Sequence, residues 1–128
     1  MAVSQYEGGA DIIFAAAGAS GLGVFDAAED KKKFAIGVDS NQDWTKPGLI
    51  LTSMLKRVDE AIFTTIEEAK AGKFAGGVQW FGLANKGVDY SFDQYNAKIL
   101  TEPVRKRADE LKAEIVAGKI VVPDFYKK

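Results

Sequence analysis

The sequence predicts an α/β fold built on a mostly parallel sheet. Two observations carry that reading. Short continuous apolar runs, the mark of strands buried on both faces, alternate with segments of helical periodicity. Polar and glycine-bearing stretches follow those runs directly, at the carboxyl ends of the strands, where open α/β sheets hold their ligands.

Residues 10–17, ADIIFAAA, form the first apolar run and predict a strand buried on both faces. The stretch before it, VSQYEGGAD, has the look of the last turn of a helix entering that strand, and so leads one to expect further chain before Met1. After the glycines at 18, 21 and 23, LGVFDAAEDKK carries Leu22, Phe25 and Ala28 on one side of a short helix. KFAIGVDS predicts a second buried strand ending at Asp39. NQDWTKPG is a loop punctuated by Pro47-Gly48, and LILTSML predicts a third strand.

The clearest helix covers residues 57–71, with Val58, Ile62, Ile66 and Ala69 on one face, Phe63 and Ala61 beside them, and Gly72 as its end signal. GGVQWFGLANKGVDYSF predicts two short strands around Asn85-Lys86-Gly87. A last helix covers residues 101–117, capped by Thr101, with Pro103 in its first turn and Val104, Ala108, Leu111 and Ile115 as its apolar stripe. KIVVPDF closes the chain as an extended segment. Strands alternating with helices imply parallel pairing through crossover connections.

Composition narrows the chemistry. The chain has 128 residues, 47% of them hydrophobic, which suits one domain with a core. Its 17 basic and 18 acidic residues are spread along the chain, for a net charge of −1, which argues against a nucleic-acid interface. There is no cysteine and no histidine, which removes disulfides, thiolate and imidazole metal ligands, and every Ser-His or Cys-His nucleophile pair. No apolar stretch approaches the roughly 20 residues of a membrane-spanning helix. The N-terminal MAVSQYEGGA lacks a basic start followed by an apolar stretch, so the chain as written reads as soluble and without an export signal.

Three stretches converge on the strand carboxyl ends: Gly18 to Gly23, Asp39 to Gln42, and Ser53 to Lys56. The glycines spell GxxGxG, which is neither the dinucleotide fingerprint nor the phosphate loop. Their backbone N–H groups suit an oxygen-rich ligand, and a tight strand-to-helix turn needing positive φ accounts for them equally. Asp39 suits two hydroxyl donors of a sugar, and it also suits capping of the next turn through Asn41 or Gln42. Lys56 reads as a cation aimed at a ligand oxygen or as a solvated lysine at a helix start. Trp44, Trp80, Phe81, Tyr90, Phe92 and Tyr95 suit base stacking, but most of them read as core or interface residues. Glu67-Glu68 and Asp109-Glu110 read as solvated helix faces, and Arg105 to Arg107 as surface.

Taken together, GADIIFAAAGASGLGVFDAA, FAIGVDSNQ, LTSMLKRVDEAI and GLANKGVDYS resemble, in the same order, the basic membrane protein family. Its members are substrate-binding lipoproteins of ABC transporters, among them purine nucleoside-binding proteins. The resemblance implies a type I periplasmic-binding fold, in which two flavodoxin-like lobes joined by hinge strands close on a ligand. It identifies this chain with the C-terminal portion of such a protein, residues 1–128 forming a single truncated α/β domain. By the same resemblance Asp39 holds ribose hydroxyls, Lys56 contacts the ligand and Gly18 lines the cleft. LTSML and GLANK look like hinge crossings, with the helix at 57–71 resting on the other lobe. The implied partners are a nucleoside or other small polar ligand and a transporter permease, and the implied location is extracytoplasmic, on a lipid anchor. No catalytic residue, metal or cofactor is implied.

A chain cut in this way leaves an apolar helix face uncovered, at about 1.5–3 kcal/mol for each exposed leucine or isoleucine. That predicts self-association, with a symmetric or domain-swapped dimer as the simplest form. Two other functions compete: an enzyme with a nucleotide or phosphate cofactor at the glycine loop, and a structural fragment that binds nothing.

Overall fold

The computed structural model describes residues 1–124. In chain order the elements are α1 (Ala2–Glu7), β1 (Ile12–Phe14), a single 3₁₀ turn at Gly18–Gly21, α2 (Leu22–Lys31), β2 (Phe34–Asp39), a second 3₁₀ turn at Asp43–Thr45, β3 (Ile50–Lys56), α3 (Val58–Lys70), β4 (Val88–Tyr90) and α4 (Glu102–Val116). The strands lie in the order β1-β2-β3-β4. The first three are parallel, with Ile13 opposite Ala35 and Val38 opposite Met54, and β4 runs antiparallel to β3 with Lys56 opposite Val88. The predicted α/β class and mostly parallel sheet are borne out.

The core sits where α1 and α2 cover β1 and β2. Phe25, Ala28, Ala35 and Ile50 are wholly buried there with Tyr6, Ala15 and Ala27. Alanines predominate because two helices must approach one short strand pair closely. Tyr6 closes one side of this cluster, and its hydroxyl donates to the Phe34 carbonyl at 2.8 Å, so the ring is buried without an orphaned polar atom. α2 ends at Lys32, whose left-handed backbone (φ 52°) turns the chain straight into β2.

The opening strand departs from expectation. It spans three residues rather than eight, and Ile12 and Phe14 are 48% and 50% exposed. β1 is an edge strand with one uncovered face, so its apolar character exceeds what this chain buries. Leu22, expected on the buried side of α2, is likewise half exposed. Of the two short strands expected around Asn85, only β4 forms; residues 76–82 make no strand, and Gly82 N–H is instead taken by the Asn85 side chain at 2.7 Å. Thr101 precedes α4 with an extended backbone but makes no capping hydrogen bond through its side chain. Residues 121–124 form no regular element, and Phe125 of the expected terminal segment lies outside the described residues.

α3 and α4 form where their periodicity predicts, and neither buries a single residue completely. On α3, Val58, Ile62, Phe63 and Ile66 are each more than half exposed. α4 is held to β4 mainly by polar contacts. Tyr90 Oη donates to Asp109 Oδ1 at 2.7 Å, Lys112 Nζ reaches both Asp89 oxygens at 2.8 Å, and the Arg105 guanidinium lies 4.1 Å from the Phe92 ring centroid. Asp109 is thus exposed, as its helix face predicts, and also tethers α4 through its bond to Tyr90. Burial, reinforced by Asp109, pushes the Tyr90 phenol up to about 12. Burial would raise the Asp89 carboxyl, but Lys112 and the Tyr90 N–H outweigh it and hold Asp89 below the usual carboxylate range.

Candidate functional site

The candidate site lies along the carboxyl ends of β1, β2 and β3. β1 pairing continues past Phe14, since Ala15 N–H donates to Ile36 O at 2.9 Å, and the chain then folds into the turn that starts at Gly18. Gly18 has φ 53°, a left-handed backbone that glycine adopts without steric cost, and a Cβ there would meet nothing within 4 Å. The conformation, not crowding, selects glycine at this position.

β2 ends at Asp39, which also has positive φ, at 71°. For an L-residue with a Cβ this conformation costs about 1–2 kcal/mol, so the neighbouring structure must hold it. In the β2–β3 register Asp39 lies opposite Leu55, one residue before Lys56. The Lys56 ammonium sits 2.7 Å from Asp39 Oδ1, and both side chains are about half exposed, at 59% and 47%. Adjacent parallel strands thus set an acceptor and a donor side by side at one sheet end, open to solvent. Gly18 belongs to the connection leaving the neighbouring strand at the same end.

Behind this rim lies a polar cluster that the sequence reading missed. Asp43 is completely buried, as are Ser53 and Asn96, and Ser91 is nearly so. Ser53 Oγ donates to Asp43 Oδ1 at 2.7 Å; Ser91 Oγ and Asn96 Nδ2 donate to Oδ2 at 2.6 and 2.9 Å. The knot extends outward through backbone groups. Gln42 N–H donates to Ser53 Oγ at 3.0 Å, Ser53 N–H to Ser91 Oγ at 2.7 Å, and Asn96 Nδ2 also reaches Leu51 O at 3.0 Å. Burial pushes the Asp43 carboxyl up from its ordinary value, opposed by the Ser91 and Ser53 hydroxyls. Gly37 makes room for the cluster, because a Cβ on it would lie 2.6 Å from Ser53 Oγ and 2.8 Å from Gln42 Oε1. The signal in the sequence was a serine in the middle of the apolar LILTSML run, which on its own names no partner.

The aromatic residues do not form a core. Trp44 and Trp80 are 63% and 65% exposed, Phe92 and Tyr95 are exposed to a lesser degree, and Phe81 and Tyr90 are half-buried. Trp44 is oriented by its own loop, its indole N–H donating to Asn41 O at 3.1 Å. Among the described residues no group of acidic side chains is arranged to hold a metal ion, and no helix is long and apolar enough to cross a membrane.

The family model of the PnrA-like ABC transporter substrate-binding proteins matches residues 1–125. The chain belongs to this family. It is similar to the CD4+ T-cell-stimulating antigen of Listeria monocytogenes, at 38% identity over 97% of this chain and 39% of that protein. It is also similar to the ABC transporter nucleoside-binding protein BmpA of Lactococcus lactis, at 33% identity over 96% of this chain and 39% of that protein. Among solved structures, an ABC transporter solute-binding protein from Aeropyrum pernix superposes with a TM-score of 0.77 at 26% identity, covering 96% of this chain and 43% of that one. The resemblance drawn from the four motifs is thereby borne out, as is the periplasmic-binding fold that it implies. The chain spans about two fifths of the length of these curated relatives.

Proposed function

We propose that this chain forms one wall of the ligand cleft of an ABC transporter substrate-binding protein, with Gly18, Asp39 and Lys56 as ligand-binding residues. The observation that carries this reading is the solvent-open Asp39–Lys56 pair at 2.7 Å on the carboxyl end of a parallel sheet. A carboxylate beside an ammonium suits a neutral, hydroxyl-rich ligand that accepts from the lysine and donates to the aspartate. The left-handed turn at Gly18 borders the same end of the sheet. A nucleoside or similar small polar molecule has that chemistry, and the nucleoside-binding name of the Lactococcus lactis relative supports it. The role is binding without turnover, in a protein that delivers its ligand to a transporter permease from the extracytoplasmic side. On this reading residues 1–128 make a single α/β domain that is part of a two-lobed molecule.

Isothermal titration with inosine, guanosine and adenosine tests this, on the chain and on a longer family member carrying the same residues. Binding that is lost in Asp39→Ala and weakened in Lys56→Ala is the expected result. Unchanged affinity in both variants would remove the proposed site.

A second reading concerns the chain by itself. Val58, Ile62, Phe63 and Ile66 form an exposed apolar strip along α3, and Val104 is exposed on α4. We infer that the isolated chain covers these faces by pairing with a second copy. Size-exclusion chromatography with multi-angle scattering at micromolar concentration is expected to give a dimer mass; a monomer would contradict it.

A further inference from the structure

The buried Asp43 knot has no role in the cleft as described so far, yet it is tied to the cleft through a very short piece of chain. Three residues separate Asp43 from Asp39, and they fold back on the strand they leave. Gln42 Oε1 accepts the Val38 N–H at 2.9 Å, Ser40 N–H donates to Val38 O at 2.9 Å, and Asp43 N–H donates to Asn41 Oδ1 at 2.9 Å. Asp39 lies at the apex of this return with φ 71°. An L-residue keeps such a backbone only where its surroundings over-determine it.

The anchor of the return loop is the Asp43 carboxylate. Its donors come from separate stretches of chain: Ser53 from the middle of β3, and Ser91 and Asn96 from the segment that follows β4. All are neutral, and no cation pairs with Asp43 among the described residues. Three converging donors require a side chain that only accepts. An ionised carboxylate does so, whereas an asparagine would turn its own N–H groups towards at least one of them. The strand beneath is shaped for the same purpose, since Gly37 leaves the space that Ser53 Oγ and Gln42 Oε1 fill. No buried side-chain polar atom among the described residues is left without a partner, so the knot is a closed unit.

We infer that Asp43 is a positioning residue for the cleft: by binding Ser53, Ser91 and Asn96 it pins the 39–43 return and holds Asp39 in the left-handed backbone that sets its carboxylate against Lys56. The inference rests on the reading of Asp39 and Lys56 as ligand-binding residues for its functional consequence, but its structural content stands apart from that reading. It also ties the rim to the segment after β4, so a change at Ser91 or Asn96 is felt at Asp39.

The test uses isotope-labelled full chain and nuclear magnetic resonance, with the Asp39 ¹³Cα and ¹³Cβ shifts reporting its backbone region. In Asp43→Asn these shifts are expected to move from left-handed towards extended values, with the Lys56 side-chain signals moving too. Phe25→Leu, a core change of α2 outside the knot's hydrogen bonds, serves as the control for general destabilisation and is expected to leave both in place. Should Asp43→Asn fail to fold, Ser53→Ala keeps the carboxylate and removes only its link to β3 and to Gln42; a partial shift of the same sign is expected. Asp39 shifts identical to the unmodified chain in folded Asp43→Asn, or in folded Ser53→Ala, would overturn the inference. In a longer family member that binds inosine, the matching aspartate-to-asparagine change is expected to weaken binding by tenfold or more, with the phenylalanine control unchanged. If inosine fails to bind the unmodified protein, the proposed function is at fault, while the shifts of Asp39 still decide the role of Asp43.

Discussion

The sheet end around Asp39 and the two helices α3 and α4 solve the same problem in opposite ways. Near the sheet end, side chains that look unsuited to a core, Asp43, Ser53, Ser91 and Asn96, are buried and fully partnered. On α3, side chains that look made for a core, Ile62, Phe63 and Ile66, are 56–61% exposed. Polarity of the residue therefore does not decide burial in this chain. What decides is whether a complementary surface lies within reach: a carboxylate finds three donors from elements that already meet, whereas the α3 stripe faces nothing among the described residues.

The largest contrast is expected from truncating one phenylalanine in each region. Phe25→Ala, in the wholly buried core, is expected to cost about 3–5 kcal/mol, enough to unfold a domain of ordinary stability in part. Phe63→Ala, on a face exposed in the single chain, is expected to stay within about 0.5 kcal/mol when measured dilute enough to keep the chain monomeric. Urea denaturation followed by circular dichroism measures both, and equal costs would show that the α3 face is covered in solution. A smaller effect is expected from Gly37→Ala. The added methyl meets Ser53 Oγ at 2.6 Å, and that hydroxyl is held on both sides by Asp43 and Gln42, so overpacking of about 1–3 kcal/mol should appear in the same experiment. No loss of stability would mean that the knot is loose.

Acid titration separates the knot from the α4 tether by sign. Asp89 is held below its unfolded value, so it adds stability above that value, and the contribution is lost as pH falls through the depressed one. Asp43 is raised, so its contribution is complete below the unfolded value and is lost as pH rises through the raised one. Asp89→Asn is therefore expected to flatten the fall in stability on the acid side, measured as urea midpoints from neutral pH downwards; an unchanged acid limb would show that the Lys112 contact is not made. The mildest probe is alkaline. With its phenol at about 12, Tyr90 is expected to ionise above the ordinary tyrosine range in an ultraviolet titration, and Asp109→Asn to bring it down. Replacing Ile62 and Phe63 together by serine should leave folding nearly unchanged while abolishing any dimer seen by multi-angle scattering.

Periodicity and strand-end position made much of this protein legible from its residues. The second and third strands, the helices at 58–70 and 102–116 and the placing of Asp39 next to Lys56 follow from local pattern, because hydrophobic spacing selects the element and parallel strands bring their carboxyl ends to one edge. Contacts between residues far apart in sequence were beyond such reading. Asp43 meets Ser91 and Asn96 across 48 and 53 residues, and nothing in either stretch alone names the other. The brevity of β1 and the missing strand before Asn85 are of the same kind, since an apolar run becomes a strand only where a neighbour supplies the ladder. The order of elements is thus written locally, in spacing and punctuation. Which polar groups are buried, and which apolar faces stay open, is settled only when distant segments meet, because the free energy of burial belongs to pairs of surfaces and not to single residues.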